Sequence, residues 1–307
     1  MPHATPTFQR APERVARLPC WRGVPRARPM PGGLSNEIWQ VEDEAGSHVV
    51  RFGRDYPFHH VSRERERMTA RAAHAAGFAP AVEWCEGEAM VTAYVASRAW
   101  DAGAMRAQAP RLARLLRDFH RRMPEEVSGA PYLFWPFQVV RDYARTLRAG
   151  GSPHAGALPR LLRLNAALEA ALPPQRLVFG HNDLLPANVL EDGAAGGGGR
   201  LWLIDYEYAG FSSPLFDLAG AASNAGMDEG EEDALLRAYF GEAPDGALRR
   251  AFDAMACASL LREATWAMVS ALHLAAPGVD YDAYAAENLR RLDDAVGRFR
   301  SRHGALG

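Results

Sequence analysis

Lysine is absent from this 307-residue chain, and all 35 basic side chains are arginine. A phosphate contact that is often made by a lysine ammonium must therefore fall to a guanidinium, which is planar, permanently charged and able to grip two oxygens at once. Cysteine is scarce: Cys20, Cys85 and Cys257 are odd in number, far apart and without a C-x-x-C pair. That spacing excludes a disulfide framework and a cysteine zinc site, and free thiols in a reducing cytoplasm are expected. No apolar run reaches the length of about 18 residues that a membrane span needs. Residues 1–30 also lack the apolar core, about 7–15 residues long, of a secretory signal. With a formal net charge of −2, no basic excess recommends nucleic acid or an anionic membrane as partner.

What is present is an ordinary globular composition, 48% hydrophobic and 23% charged, on a chain long enough for two lobes. The stretch from Val178 to Gly210 carries the most chemistry. Its runs Leu177–Phe179, Asn188–Leu190 and Leu201–Ile204 predict three short buried strands, with Gly193 and Gly196 to Gly199 as a flexible tip. The segment His181-Asn182-Asp183-Leu184-Leu185-Pro186-Ala187-Asn188 follows the first strand, and Asp205 follows the third. Hard divalent cations take oxygen ligands, which Asn188 and Asp205 supply. Asp183 is spaced to accept a hydrogen bond from an attacking hydroxyl, so the pattern is that of phosphoryl transfer. A lone H-x-D or Ile-Asp is commonplace in turns. Order, spacing and strand context together carry the reading.

Earlier in the chain, residues 1–30 read as a loosely packed lead-in with a short helix near Glu13 to Leu18. Gly32-Gly33-Leu34-Ser35-Asn36 then opens a hairpin of strands Glu37–Val41 and His48–Phe52. A glycine loop in that place can lay backbone N–H groups over phosphates. Arg51 lies on the second strand, among Val49, Val50 and Phe52, where alternation aims it either at solvent or into a cleft. A helix is predicted over Ser62 to Ala76, with an apolar stripe at Met68, Ala72, Ala75 and Ala76 and a stop at Gly77. Glu64 and Glu66 both lie in its first turns, and Glu66 is the choice to pin Arg51. A second hairpin, Ala81–Cys85 with Ala89–Tyr94, makes Met90 to Val95 an outer strand and hinge whose backbone at Ala93 to Val95 would meet an adenine edge.

From Asp101 onward the periodicity is helical. Helices are predicted around Leu112–Phe119, Val139–Leu147, Leu158–Leu172, Glu231–Tyr239, Ala247–Leu272 and Tyr281–Arg298. Another begins at Phe216-Asp217-Leu218-Ala219, with Asp217 placed to help cap it. The cluster Asp228-Glu229-Glu231-Glu232-Asp233 reads as a solvated helix start rather than an acidic pocket.

Taken together, Gly32 to Asn36, His181 to Asn188 and Ile204-Asp205-Tyr206-Glu207-Tyr208 closely resemble the choline/ethanolamine kinase family, within the aminoglycoside phosphotransferase-like small-molecule kinases. The resemblance runs in order over roughly residues 30–300. It implies an α+β, protein-kinase-like bilobal fold: a nucleotide-binding lobe of small antiparallel sheet over residues 1–95, and a larger, mostly helical catalytic lobe over 96–307. It also implies ATP and Mg2+ as cofactors and a cationic small-molecule hydroxyl acceptor as partner. Asp183 resembles the catalytic aspartate, Asn188 and Asp205 the magnesium ligands, and Arg51 with Glu66 the phosphate-orienting pair. Arginine at that strand position is usual in the choline kinase branch. Gly32, Gly33, Leu34, Ser35, Asn36, Arg51, Ala93 and Val95 would meet the nucleotide.

Tyr208 and Trp266 match aromatic residues of the choline pocket, where each ring face attracts a quaternary ammonium by about 0.5–2 kcal/mol. A primary amine would instead want carboxylates. Two departures bear on this pocket: Asn224 stands where choline kinases carry an acid, and Glu263 stands where they carry a second tryptophan. Glu207 and Glu263 would keep a preference for cations. The leading expectation is an ATP-dependent kinase acting on an amino alcohol, choline or ethanolamine first. An aminoglycoside, thiamine or another metabolite is the alternative acceptor, and a pseudokinase scaffold the alternative from a different class.

Overall fold

A computed structural model describes residues 11–30, 37–193, 198–274 and 278–306. The glycine loop expected at Gly32 to Asn36, and part of the tip expected after Gly193, lie outside the described residues.

Alternation along the strands decides which face of the first sheet is buried. Trp39 and Val41 of β2 (Glu37–Asp43) face the same way as Val50 and Phe52 of β3 (Gly46–Phe52) and Ala89 and Val91 of β5 (Ala89–Ala93). These six are buried together with Val15 of helix α1 (Ala11–Ala16), forming a small core of their own. Arg51, lying between Val50 and Phe52, must point to the opposite face.

The sheet is antiparallel, in the order β1-β2-β3-β5-β4, with β1 at Arg26–Pro29 and β4 at Val82–Glu86. Two details differ from expectation. Part of the lead-in is an edge strand, β1, whose Pro29 sits where a missing N–H is tolerated. The hairpin at 82–93 is also reversed in placement. β5 lies inside, against β3, and β4 forms the edge. Burial explains the order, because Ala89 and Val91 are buried while Glu83 and Glu86 of β4 are exposed and suit an edge.

Helix α2 (Arg63–Ala75) starts at Ser62, whose side chain accepts the N–H of Arg65, and Gly77 follows its end at φ +83°. Its buried residues are Arg63, Glu66, Thr69, Ala70, Ala72, Ala73 and the following Ala76. Of the expected stripe, Ala72 and Ala76 are buried, Met68 is half-buried and Ala75 is exposed, and the buried face extends to Arg63 and Glu66, which turn inward to pair. Ala70, Ala73 and Ala76 join Leu112, Leu116 and Phe119 in the larger core, so α2 packs with the helical lobe.

That lobe contains α3 (Ala102–Ala107), α4 (Ala109–Glu126), α5 (Pro136–Ala149), α6 (Leu158–Ala170), α7 (Pro214–Ala225), α8 (Glu229–Phe240), α9 (Gly246–His273) and α10 (Tyr281–His303). Helix α9, 28 residues long, is buried around most of its circumference and packs on α5, α6, α7 and α10, as an all-round apolar helix must. Short strands β6 (Ser97–Ala99), β8 (Val189–Asp192) and β9 (Leu201–Leu203) form one ribbon, and β7 (Val178–Gly180) pairs with β10 (Gly210–Ser212). The acidic cluster at 228–233 is the start of α8, closed by a capping box between Asp228 and Glu231. No helix among the described residues is long and apolar enough to cross a membrane.

A 3-10 turn at Pro57–His59 wedges the chain between α5 and α9. His59 Nε2 lies 2.8 Å from Ser270 Oγ, and its Nδ1 lies 3.4 Å from Tyr143 Oη. Burial, reinforced by Arg262, pushes its pKa down from 6.5 to about 2. Folded His59 thus stays neutral where the unfolded chain binds a proton. Its contribution to stability is complete above pH about 6.5 and falls below it by about 1.4 kcal/mol per pH unit. Urea denaturation at pH 7, 6 and 5 should show that slope in the parent chain and a shallower one in His59→Gln.

Candidate active site

The segment after β7 is held by one buried carboxylate. Asp217, on α7, accepts the backbone N–H of His181 at 2.8 Å and that of Asn182 at 2.6 Å, and contacts His120 Nε2 at 2.8 Å. Asp217 is not the cap of α7. The helix starts at Pro214, and Ser213 caps it by accepting the N–H of Leu215. Burial would raise the Asp217 carboxyl, but the hydrogen bonds and charge of His120 and His181 together outweigh it and hold the pKa below the usual range.

Around this anchor the chain turns sharply. Asn182 adopts φ +64° and donates through its amide to the carbonyls of Tyr208 and Gly210 at 3.1 and 3.2 Å. His181, kept neutral by burial, donates from Nε2 to the Ile204 carbonyl at 2.9 Å. The two loops that carry Asp183 and Asp205 are therefore stitched together. Asp205 itself sits at φ +67°, a conformation that costs a non-glycine residue free energy.

Asn188 donates from Nδ2 to the Asp183 carbonyl at 2.9 Å, which turns its amide oxygen away from that contact. Asp205 uses Oδ1 for Arg51 at 2.9 Å. An amide oxygen and a partly exposed carboxylate form an oxygen donor set that fits a hard divalent cation. No group of three or more His, Cys, Asp or Glu side chains among the described residues encloses a metal alone. A cation held here would need further oxygens, as phosphates provide.

On the sheet side, Arg51 pairs with Glu66 as well as Asp205. Glu66 is shared: its other oxygen accepts from Arg63 Nη1 at 2.6 Å, and Arg63 reaches Glu207 at 3.0 Å. Glu64 is exposed on the outer face of α2. The result is a buried chain of alternating charge from β3 through α2 to the Asp205 loop. Breaking such a pair leaves an uncompensated charge. Burial raises the Glu207 carboxyl, Asp205 adds to this, and Arg63 and Arg51 oppose it.

Asp183 lies 3.6 Å from Arg262 of α9. Burial pushes its carboxyl well above the ordinary range, with Glu263, Asp205 and Glu207 acting in the same sense and Arg262 against them. Arg262 also pairs with Glu263, and Glu263 accepts from Tyr284 Oη at 3.2 Å. Tyr208 and Trp266 meet directly, indole Nε1 donating to the phenol oxygen at 2.9 Å. Asn224 donates to the Leu184 carbonyl at 3.3 Å, steadying the loop from α7. Along the linker, the Ala93 N–H is bound to Ala81 and the Tyr94 N–H to Ser47, while the Val95 carbonyl accepts from Ser97 Oγ at 3.0 Å.

Asp183, Asn188, Asp205, Arg51, Glu66, Glu207, Tyr208, Glu263, Trp266 and Asn224 thus share one region. Arg63, Asp217 and Arg262 belong to it and were not anticipated. The spacing of Arg63 and Glu66, one helical turn apart, was a signal for the first. A charged Arg-Glu pair within the apolar run of α9 was the signal for Arg262.

The phosphotransferase enzyme family model matches residues 26–256. A choline/ethanolamine kinase family protein from Mesorhizobium loti is 25% identical, with 97% of this chain and 98% of that one covered at a TM-score of 0.76. Choline kinase LicA from Streptococcus pneumoniae is 18% identical, covering 87% and 92% at a TM-score of 0.72, a likeness of fold. Protein LicA of Haemophilus influenzae is 41% identical over 59 residues, 19% of this chain. The chain spans only a fifth of that curated relative, 20% of its length.

Asp217→Ala should lower stability by about 3–5 kcal/mol in chemical denaturation, because it strips a buried acceptor from two N–H groups and an imidazole.

Proposed function

The chain belongs to the phosphotransferase enzyme family, and we propose that it is a kinase moving the γ-phosphoryl group of ATP to the hydroxyl of a small amino alcohol, the class that includes choline and ethanolamine. The observation that carries this reading is Arg51 held between Glu66 and Asp205, with Asp183 on the adjoining stitched loop. Phosphoryl transfer is chiefly a matter of placement and charge neutralisation, and that arrangement supplies both.

In this reading the Asp183 carboxylate accepts a hydrogen bond from the acceptor hydroxyl. The hydroxyl oxygen forms the new bond to the γ-phosphorus, the bridging bond to the β-phosphate breaks, and the hydroxyl proton passes to Asp183. Arg51 turns its remaining N–H groups to phosphate oxygens, and Glu66 and Asp205 keep the fork from swinging away. Asn188 and Asp205 would hold Mg2+, which neutralises phosphate charge when bound. Gly32 to Asn36 would cover the phosphates, and Val95 would meet the base. Glu263, with Glu207 nearby, offers carboxylate oxygens to an ammonium-bearing alcohol, beside the guanidinium of Arg262. The near full-length likeness to the Mesorhizobium loti protein supports the same class.

Asp183→Ala should reduce phosphate transfer by about 10²–10⁴-fold while ATP binding, followed by calorimetry, persists. Near-parental turnover would remove Asp183 from the mechanism. Glu66→Gln should raise the KM for ATP and Glu64→Gln should leave it unchanged. Equal effects would mean that Arg51 does not depend on Glu66.

A further inference from the structure

The region expected to take the acceptor carries its own cation. Arg262 places its guanidinium carbon 4.4 Å from the centroid of the Tyr208 ring, on the face that would otherwise attract an ammonium. The same guanidinium lies 5.8 Å from the Phe134 ring. Trp266 is covered in a parallel way, with the neutral His59 ring stacked on it at 5.2 Å and 23°. One face of each aromatic residue expected to receive a quaternary ammonium is already taken by a group of the protein.

Arg262 is nonetheless not saturated. It is 2% exposed and is engaged through Nη1, which reaches Glu263 and Asp183. Its Nε and Nη2 are buried and have no hydrogen-bond partner among the described residues. A buried donor left unpaired is costly, and these two atoms form the edge of a guanidinium that grips a carboxylate with two parallel bonds. Beside them Glu263 offers carboxylate oxygens, each able to accept more than one hydrogen bond. Cation and anion stand on consecutive residues of one rigid helix, next to the residue that faces the acceptor hydroxyl.

We infer that the preferred acceptor is a hydroxyl-bearing zwitterion, an amino alcohol that also carries a carboxylate, with Arg262 binding the carboxylate and Glu263 the ammonium. This rests on the kinase reading of the same site and narrows its substrate class. Arg262 is then the specificity-determining residue. A quaternary ammonium has no N–H for Glu263 and meets a like charge at Tyr208, so it is the poorer guest.

The test uses the full chain with Mg2+ and a non-hydrolysable ATP analogue. Ethanolamine, choline and a series of hydroxy amino acids of increasing chain length, beginning with L-serine, are titrated by calorimetry, and the same compounds are assayed with ATP for phosphate transfer. Serine is ethanolamine plus a carboxylate, and choline is ethanolamine fully methylated, so the series separates the two groups. The expected result is tightest binding and highest kcat/KM for a hydroxy amino acid. Arg262→Leu should weaken its binding by about 10–100-fold and improve that of choline, while Arg262→Lys retains part of the preference. Tighter binding of choline or ethanolamine than of every hydroxy amino acid overturns the inference and leaves the kinase reading intact. Arg262-dependent binding of a hydroxy amino acid without transfer to any compound upholds the inference and overturns the kinase reading. If no compound of the series binds, the inference falls. Thermal unfolding of each variant with the nucleotide analogue bound separates loss of fold from loss of recognition.

Discussion

Glu66 shared between Arg51 and Arg63 is the contact on which the rest of the site depends. It joins three pieces that meet nowhere else in sequence: the cleft face of β3, the first turn of α2, and, through Asp205 and Glu207, the loop after β9. A lysine could not serve in this way, because one ammonium is a point charge, whereas a guanidinium fork can face two carboxylates in fixed directions. The burial of these charges is tolerable only as a closed chain, in which each carboxylate and each guanidinium has a partner on both sides or an outlet to the cleft.

A second constraint acts from below. Asp217 gathers the amides of His181 and Asn182 while His181 and Asn182 reach across to the strand-end loop at 204–210. Two non-glycine residues, Asn182 and Asp205, are held at positive φ as a result. The strain is spread over a scaffold fixed by the larger core, and what it yields is a set spacing between the Asp183 loop and the Asp205 loop.

Local spacing made part of this visible in the sequence. Asp183, Asn188 and Asp205 fall within one short stretch, and Arg51 follows from its place on an alternating strand; the structure brings all four into one region. Hairpin signals giving way to helical periodicity showed a β-rich first part and a helical remainder, and the family resemblance implied the two-lobed arrangement. What was not legible depends on partners far apart in the chain. Whether β4 or β5 forms the edge is decided by which surface the sheet buries. Asp217 resembled a helix cap because its real partners lie 35 and 36 positions earlier. The Arg262-Glu263 pair marks a charge within an apolar run, but nothing near it in sequence says that the guanidinium will find Tyr208, 54 positions away by residue number. The two strand-end carboxylates and Arg51 beside Asp205 could be read from their neighbours, and Arg262 beside Asp183 could not.

The guanidinium at position 51 also sets how this protein can be found. Reagents that tag nucleotide sites by acylating a nearby ε-amino group have nothing to attack here, since no side chain in the sequence carries one. Covalent profiling built on that chemistry would pass over this chain even with its nucleotide site full, and dicarbonyl reagents that condense with guanidinium groups are the ones suited to it.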